Sequence, residues 1–160
     1  MSPIDWAKRP ITKYMDFNGR ASRPEYWWYT LAVIIAAVVI GIVENIVGVD
    51  KMIGPYGPLT LIVMLGLLLP GLGVTIRRLH DTNRSGWWIL IAVVPYVIVG
   101  FMMAMAMRSG SMATMGSAGL VGILALVGGI VLLIFMVLPG TPGDNSYGPP
   151  STGDGATAAV

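Results

Sequence analysis

The sequence predicts an all-α membrane protein: a bundle of four transmembrane helices with both termini in the cytoplasm. Three observations carry this. First, long apolar runs occupy 27–47, 58–76, 87–107 and 119–138, and Glu44 is the only charged residue within them. At 1.5 Å per residue each run covers about 30 Å, the thickness of a bilayer's hydrocarbon core. Second, only 11% of the 160 residues are charged against 55% hydrophobic, whereas soluble domains carry about 25% charge. Third, the basic residues are unevenly shared among the loops. Lys8, Arg9, Lys13, Arg20 and Arg23 precede the first span and Arg77, Arg78 and Arg84 follow the second, while the other two loops hold only Lys51 and Arg108. Basic residues near span ends stay on the cytoplasmic side, so the termini and the middle loop are expected there.

Residues 1–15 read as a cytoplasmic arm, 16–150 as the four-span domain and 151–160 as a disordered, small and polar tail. Asp5, Lys8, Arg9, Pro10 and Lys13 interrupt the opening segment, which therefore does not read as a cleavable leader. Little length remains outside the spans for a second hydrophobic core. The absence of cysteine excludes disulfides, thiol nucleophiles and Cys-ligated metals.

The first span opens at Asp16–Glu25, DFNGRASRPE. A turn at Asn18 and Gly19 precedes Ser22 and Glu25, which have capping-box spacing, and Pro24 suits a first helical turn. Tyr26, Trp27, Trp28 and Tyr29 then mark a headgroup-level entry, and Gly86, Trp87 and Trp88 mark that of the third span. Glu44 lies about 26 Å along the first helix from Trp27. It is expected near the outer interface, with Asn45 beside it and Lys51 within reach.

Pro70 and Pro95 fall within the second and third spans, where each withholds an amide and a kink or local unwinding is expected. Neighbouring groups must then satisfy the freed carbonyls. Gly119, Gly122, Gly128 and Gly129 allow close helix approach in the fourth span. The methionines from Met102 to Met115 read as apolar filler, since no His or Cys joins them to make a soft-metal site. A Trp-Trp pair and a later Leu-Pro-Gly recur in both halves, which suggests a two-plus-two repeat.

The polar residues gather in three signatures: Phe17–Trp28 (FNGRASRPEYWW), Arg77–Trp88 (RRLHDTNRSGWW) and Pro139–Gly148 (PGTPGDNSYG). In this order the trio resembles the bacterial family called domain of unknown function 805, the YhaH-like inner-membrane proteins. The resemblance runs from about Asp16 to Pro150, and Arg77–Trp88 is its most specific part. It implies a small bacterial inner-membrane protein and brings no known reaction.

The threading puts all three signatures on the cytoplasmic side, so Arg20, Arg23, Glu25, Arg78, His80, Asp81, Asn83, Arg84, Asp144, Asn145 and Tyr147 should converge at headgroup depth. Asp81 is expected to pair with Arg23 or Arg78, and Asn83 or Asn145 to satisfy backbone groups at helix ends. The cluster has two readings: it staples the loops, or its Arg20, Arg23, Arg77, Arg78, His80, Asp81, Asn83, Arg84 and Asn145 hold an anionic ligand such as a lipid phosphate. Ser22, Glu25, Trp27, Trp28, Gly86, Trp87, Trp88, Pro70 and Pro95 are assigned structural or interfacial roles.

His80 is the sole histidine, and one histidine beside one aspartate makes neither a metal site nor a catalytic constellation. No catalytic residue, metal or cofactor is therefore assigned. The expected function is that of a non-enzymatic membrane component. A small transporter or channel is the alternative, weakened by the lack of mid-membrane charge. An interfacial lipid-modifying enzyme using His80 and Asp81 ranks third. Membrane lipids are the expected partners, with a second copy or another membrane protein as further candidates and nucleic acid excluded.

Overall fold

The computed structural model describes residues 1–52 and 56–151. Its architecture is all helical: α1 Pro3–Thr12, α2 Arg23–Val47, α3 Pro58–Asp81, a 3-10 turn Gly86–Ile89, α4 Leu90–Ser109 and α5 Met112–Val137. Four stretches, Arg23–Val47, Pro58–Asp81, Gly86–Ser109 and Met112–Val137, are long and apolar enough to cross a membrane. They form two hairpins, α2 with α3 and α4 with α5, which meet where the 3-10 turn packs on α3 and where α5 touches α3 and α2.

The helix limits have local causes. Ser22 accepts from the Glu25 amide and Pro24 occupies the first turn of α2, which ends at Gly48 in the left-handed conformation. Ser111 starts α5 in the same manner, accepting from the Thr114 amide. The box expected between Ser22 and Glu25 is only half formed, because the Glu25 carboxylate turns to Arg77 instead.

The arm before α2 is a folded helix. Ser2 and Asp5 close a full capping box around Pro3, and these bonds from Ser2 hold the Asp5 carboxyl below the usual carboxylate range. Trp6 and Pro10 are buried, so α1 packs on α2 and α3. Past Ser151, which is buried, the tail expected to be disordered lies outside the described residues.

Both intramembrane prolines are accommodated by a neighbour. Pro70 has no amide for the carbonyl of Gly66, and the Tyr14 hydroxyl donates to that carbonyl at 2.5 Å. The Tyr29 hydroxyl donates to the adjacent Leu67 carbonyl at 2.8 Å, and α3 continues helical through Pro70. Pro95 likewise leaves the Ile91 carbonyl without its helical donor. Gly128 of α5 lies so close to that oxygen that a side chain there would overlap it. The two backbones therefore touch at this point, an approach only glycine permits.

Glu44 departs from expectation. It is 2% exposed and does not extend toward Lys51. Its carboxylate accepts from the amides of Gly57, Leu59 and Thr60 at 3.2, 2.7 and 3.0 Å and from the Thr60 hydroxyl at 2.6 Å. These amides open α3 and have no intrahelical acceptor, so a carboxylate from α2 serves as the cap that Gly57 lacks.

Candidate functional site

The three polar signatures meet at one end of the molecule. The stretch before α2 supplies Arg20 and Ala21, the last turn of α3 supplies Arg77, Arg78, His80 and Asp81, and the segment after α5 supplies Thr141, Gly143 and Asn145.

Asp81 is the centre, 1% exposed and flanked by two guanidinium groups. Arg20 Nε donates to its carboxylate at 2.8 Å, and Arg78, one helical turn earlier, pairs with its other oxygen. Arg23, one of the two expected partners, is absent from this pairing. As the first residue of α2 it lies on the helix exterior, whereas Arg20 sits in the segment that crosses the end of α3.

The remaining donors of both arginines go to backbone. Arg20 reaches the carbonyls of Thr141 and Gly143, each at 2.7 Å, together with those of Gly148 and Asp81. Arg78 reaches the carbonyls of Met136, Ala21 and Leu138. Asp81 in turn accepts from the Thr141 amide through its own carbonyl at 2.8 Å. Gly140 lies against the carboxylate, where a Cβ would come within 2.8 Å of Asp81 Cγ. Two arginines and one aspartate thus bind the segment after α5 to α3 and to the segment before α2. With donors aimed at internal carbonyls, Arg20 and Arg78 serve as a latch rather than as a phosphate cradle.

A second buried pair lies beside the first. Arg77 Nη1 donates to Glu25 at 2.7 Å, and both side chains are wholly buried. Arg9 of α1 approaches the other Glu25 oxygen at 3.6 Å and lies over the Trp6 ring, which ties α1 to this end. Removing either member of such a pair strands a charge, at a cost of about 3–5 kcal/mol.

The other expected site residues are distributed as follows. His80 stacks on Tyr147 with ring centroids 3.8 Å apart, and its Nδ1 lies 3.1 Å from the Gly19 carbonyl. Asn145 donates to the His80 carbonyl at 2.9 Å, the helix-end role expected of it. Asn83 is exposed with φ +56°. It ends α3 through its own backbone amide, which donates to the His80 carbonyl, so its part is conformational. Arg84 lies 4.2 Å over the Phe135 ring, and Gly86 packs against Ile76. Trp27, Trp28, Trp87 and Trp88 are all exposed, as rings at a bilayer boundary would be. No cluster of three His, Cys, Asp or Glu suited to a metal occurs among the described residues.

Sequence reasoning passed over Tyr14 and Thr141, counted Arg9 only as a topology charge, and singled out Glu44 as the lone acid in four apolar runs without its capping role. Tyr14 and Arg9 carried no signal of their contacts, because their partners are 52 and 16 positions away.

A family model described as "Protein of unknown function (DUF805)" matches residues 14–149, the span that contains all three signatures. The chain belongs to the DUF805 family. Among its relatives are two from Escherichia coli strain K12. "Inner membrane protein YhaH" is 32% identical over 91% of this chain and 95% of its own length, and "Inner membrane protein YhaI" is 33% identical over 91% and 93%. "Uncharacterized protein YiiR" of the same strain is 24% identical over 82% and 83%. No solved structure matches. The DUF805 match begins at Tyr14, so the latch falls inside the family region and α1 outside it.

Proposed function

We propose that this chain is a non-catalytic integral component of the bacterial inner membrane, with both termini in the cytoplasm, whose arginine-rich end meets anionic lipid headgroups. The observation that supports this is a division of labour among its cations. Arg20, Arg77 and Arg78 are buried in internal pairs, whereas Lys8 and Arg23 at the same end are exposed. Exposed cations at a membrane surface draw anionic lipid, each worth about 1 kcal/mol. The excess of basic residues at this end also supports the orientation, and the printed names of YhaH and YhaI support the compartment. Against catalysis, the only histidine is stacked on Tyr147, and Asp81 has both oxygens engaged by arginines.

Two measurements test the reading. A reporter active only in the cytoplasm, fused after Val160, should be active, and a periplasmic reporter active there would overturn the orientation. In vesicles, replacing zwitterionic by anionic lipid should raise thermal stability in a salt-sensitive manner, and Lys8→Gln with Arg23→Gln should remove most of the gain. Equal stability in both lipids would sink the headgroup reading.

A further inference from the structure

A groove of about 410 Å³ runs between α2 and α3, lined by residues of these two helices. Tyr26, Thr30 and Val33 form one wall and Leu68, Leu72 and Thr75 the other. It is almost wholly apolar, and it spans Tyr26 to Ile34, about 12 Å along the helix. The Tyr26 end is at headgroup level by the aromatic rule, so the groove leads from there into the hydrocarbon.

Arg23 stands three residues before Tyr26 and seven before Thr30, on the same helical face. It is exposed and, among the described residues, has no hydrogen-bond or ion-pair partner. Two acids of the same end, Glu25 and Asp81, are buried in pairs with other arginines and do not compete for it. A cation with its donors unspent therefore stands at the mouth of an apolar channel. An anionic phospholipid has the complementary form, a phosphate joined to an acyl chain.

We infer that the α2–α3 groove is a binding site for one anionic phospholipid, with an acyl chain between Val33 and Leu72 and the phosphate on Arg23. The inference rests on the headgroup reading above and narrows it to one lipid in one place. The two can fail separately, because general headgroup attraction is sensitive to salt and indifferent to the groove, whereas this site needs the groove open.

The test is native mass spectrometry of the full chain, purified in mild detergent and titrated with phosphatidylglycerol, phosphatidylcholine of the same chains, and palmitate. The wild type should retain a single phosphatidylglycerol. Arg23→Ala should weaken that lipid about tenfold, the worth of a charge-assisted contact, and leave phosphatidylcholine unchanged. Val33→Trp should fill the groove and abolish retention of both. Leu68→Trp fills it from the other wall, so a fold defect in one variant leaves the other as the test, with helicity measured by circular dichroism. Retention of phosphatidylglycerol by both filled variants overturns the site. So does palmitate binding as tightly as phosphatidylglycerol, or a lipid-free dimer cross-linked through Val33→Cys.

Discussion

The two hairpins are held by different physics. Between α2 and α3 the contacts that matter are polar: Glu44 caps α3 at one end, Glu25 pairs with Arg77 at the other, and the Tyr29 hydroxyl reaches a carbonyl between them. Between α4 and α5 the join is steric. Ala92 and Ala106 of α4 and Ala118, Ala125 and Gly128 of α5 are buried, and the backbones touch at Ile91. Small residues let helices close on each other by van der Waals contact alone, while spaced polar stitches leave room between them. The groove lies between α2 and α3 for that reason.

Five substitutions would break or sharpen this contrast. The largest effect is expected at the latch joining the hairpins. Asp81→Ala strands Arg20 and Arg78, and a loss of about 3–5 kcal/mol should appear in thermal denaturation, with the 139–148 segment becoming open to protease. Next is the steric hairpin, where Gly128→Val forces a side chain into the Ile91 backbone and should cost about 3 kcal/mol. Gly122→Ala, with nothing within 4 Å, should stay within about 0.5 kcal/mol of wild type. If both glycine variants behave alike, the steric account is wrong.

In the polar hairpin, Glu44→Gln sets an amide group against three backbone amides and should cost about 2 kcal/mol. Leu59 and Thr60 should show it as faster hydrogen exchange. The smallest change is Tyr14→Phe, about 1 kcal/mol, which deprives the Gly66 carbonyl of its donor. Combining it with Pro70→Ala restores a helical amide there, so the loss from Tyr14→Phe should shrink in that background. Strict additivity would show that Tyr14 does not serve the proline.

The sequence carried the spans because hydrocarbon thickness fixes their length and leaves little latitude. The end of α2 at Val47 and the start of α3 at Pro58 agree with the apolar runs, since Gly48 and Pro58 act locally. Elsewhere the helices outrun the hydrophobic signal. Polar residues can keep a helix going beyond the bilayer edge, so α2 begins at Arg23, α3 persists to Asp81 and α5 begins at Met112. The helix α1 was legible in principle, since Ser2, Pro3 and Asp5 write out a cap and a first turn.

For the candidate site, the sequence brought Arg20, Arg77, Arg78, His80, Asp81 and Asn145 to one end and foresaw the pair of Arg78 with Asp81, but not the second partner of Asp81. Arg20 and Arg23 are equivalent as charges, and only the path of the chain across the end of α3 decides which one meets Asp81. The partner of Glu44 was hidden for a related reason, since the unsatisfied amides of α3 lie 13 to 16 residues further along the chain and come near only once α2 and α3 turn back on each other.

The two buried carboxylates of α2 act together as a gauge. Glu25 and Glu44 are 19 residues apart in the chain, which along a helix is about 28 Å. Each is fastened to α3, so the distance between the polar boundaries of this hairpin is set by protein bonds and not by the lipid around it. A bilayer thicker or thinner than that must bend to the protein or make it lean, and membranes of matching thickness are where the chain sits without strain.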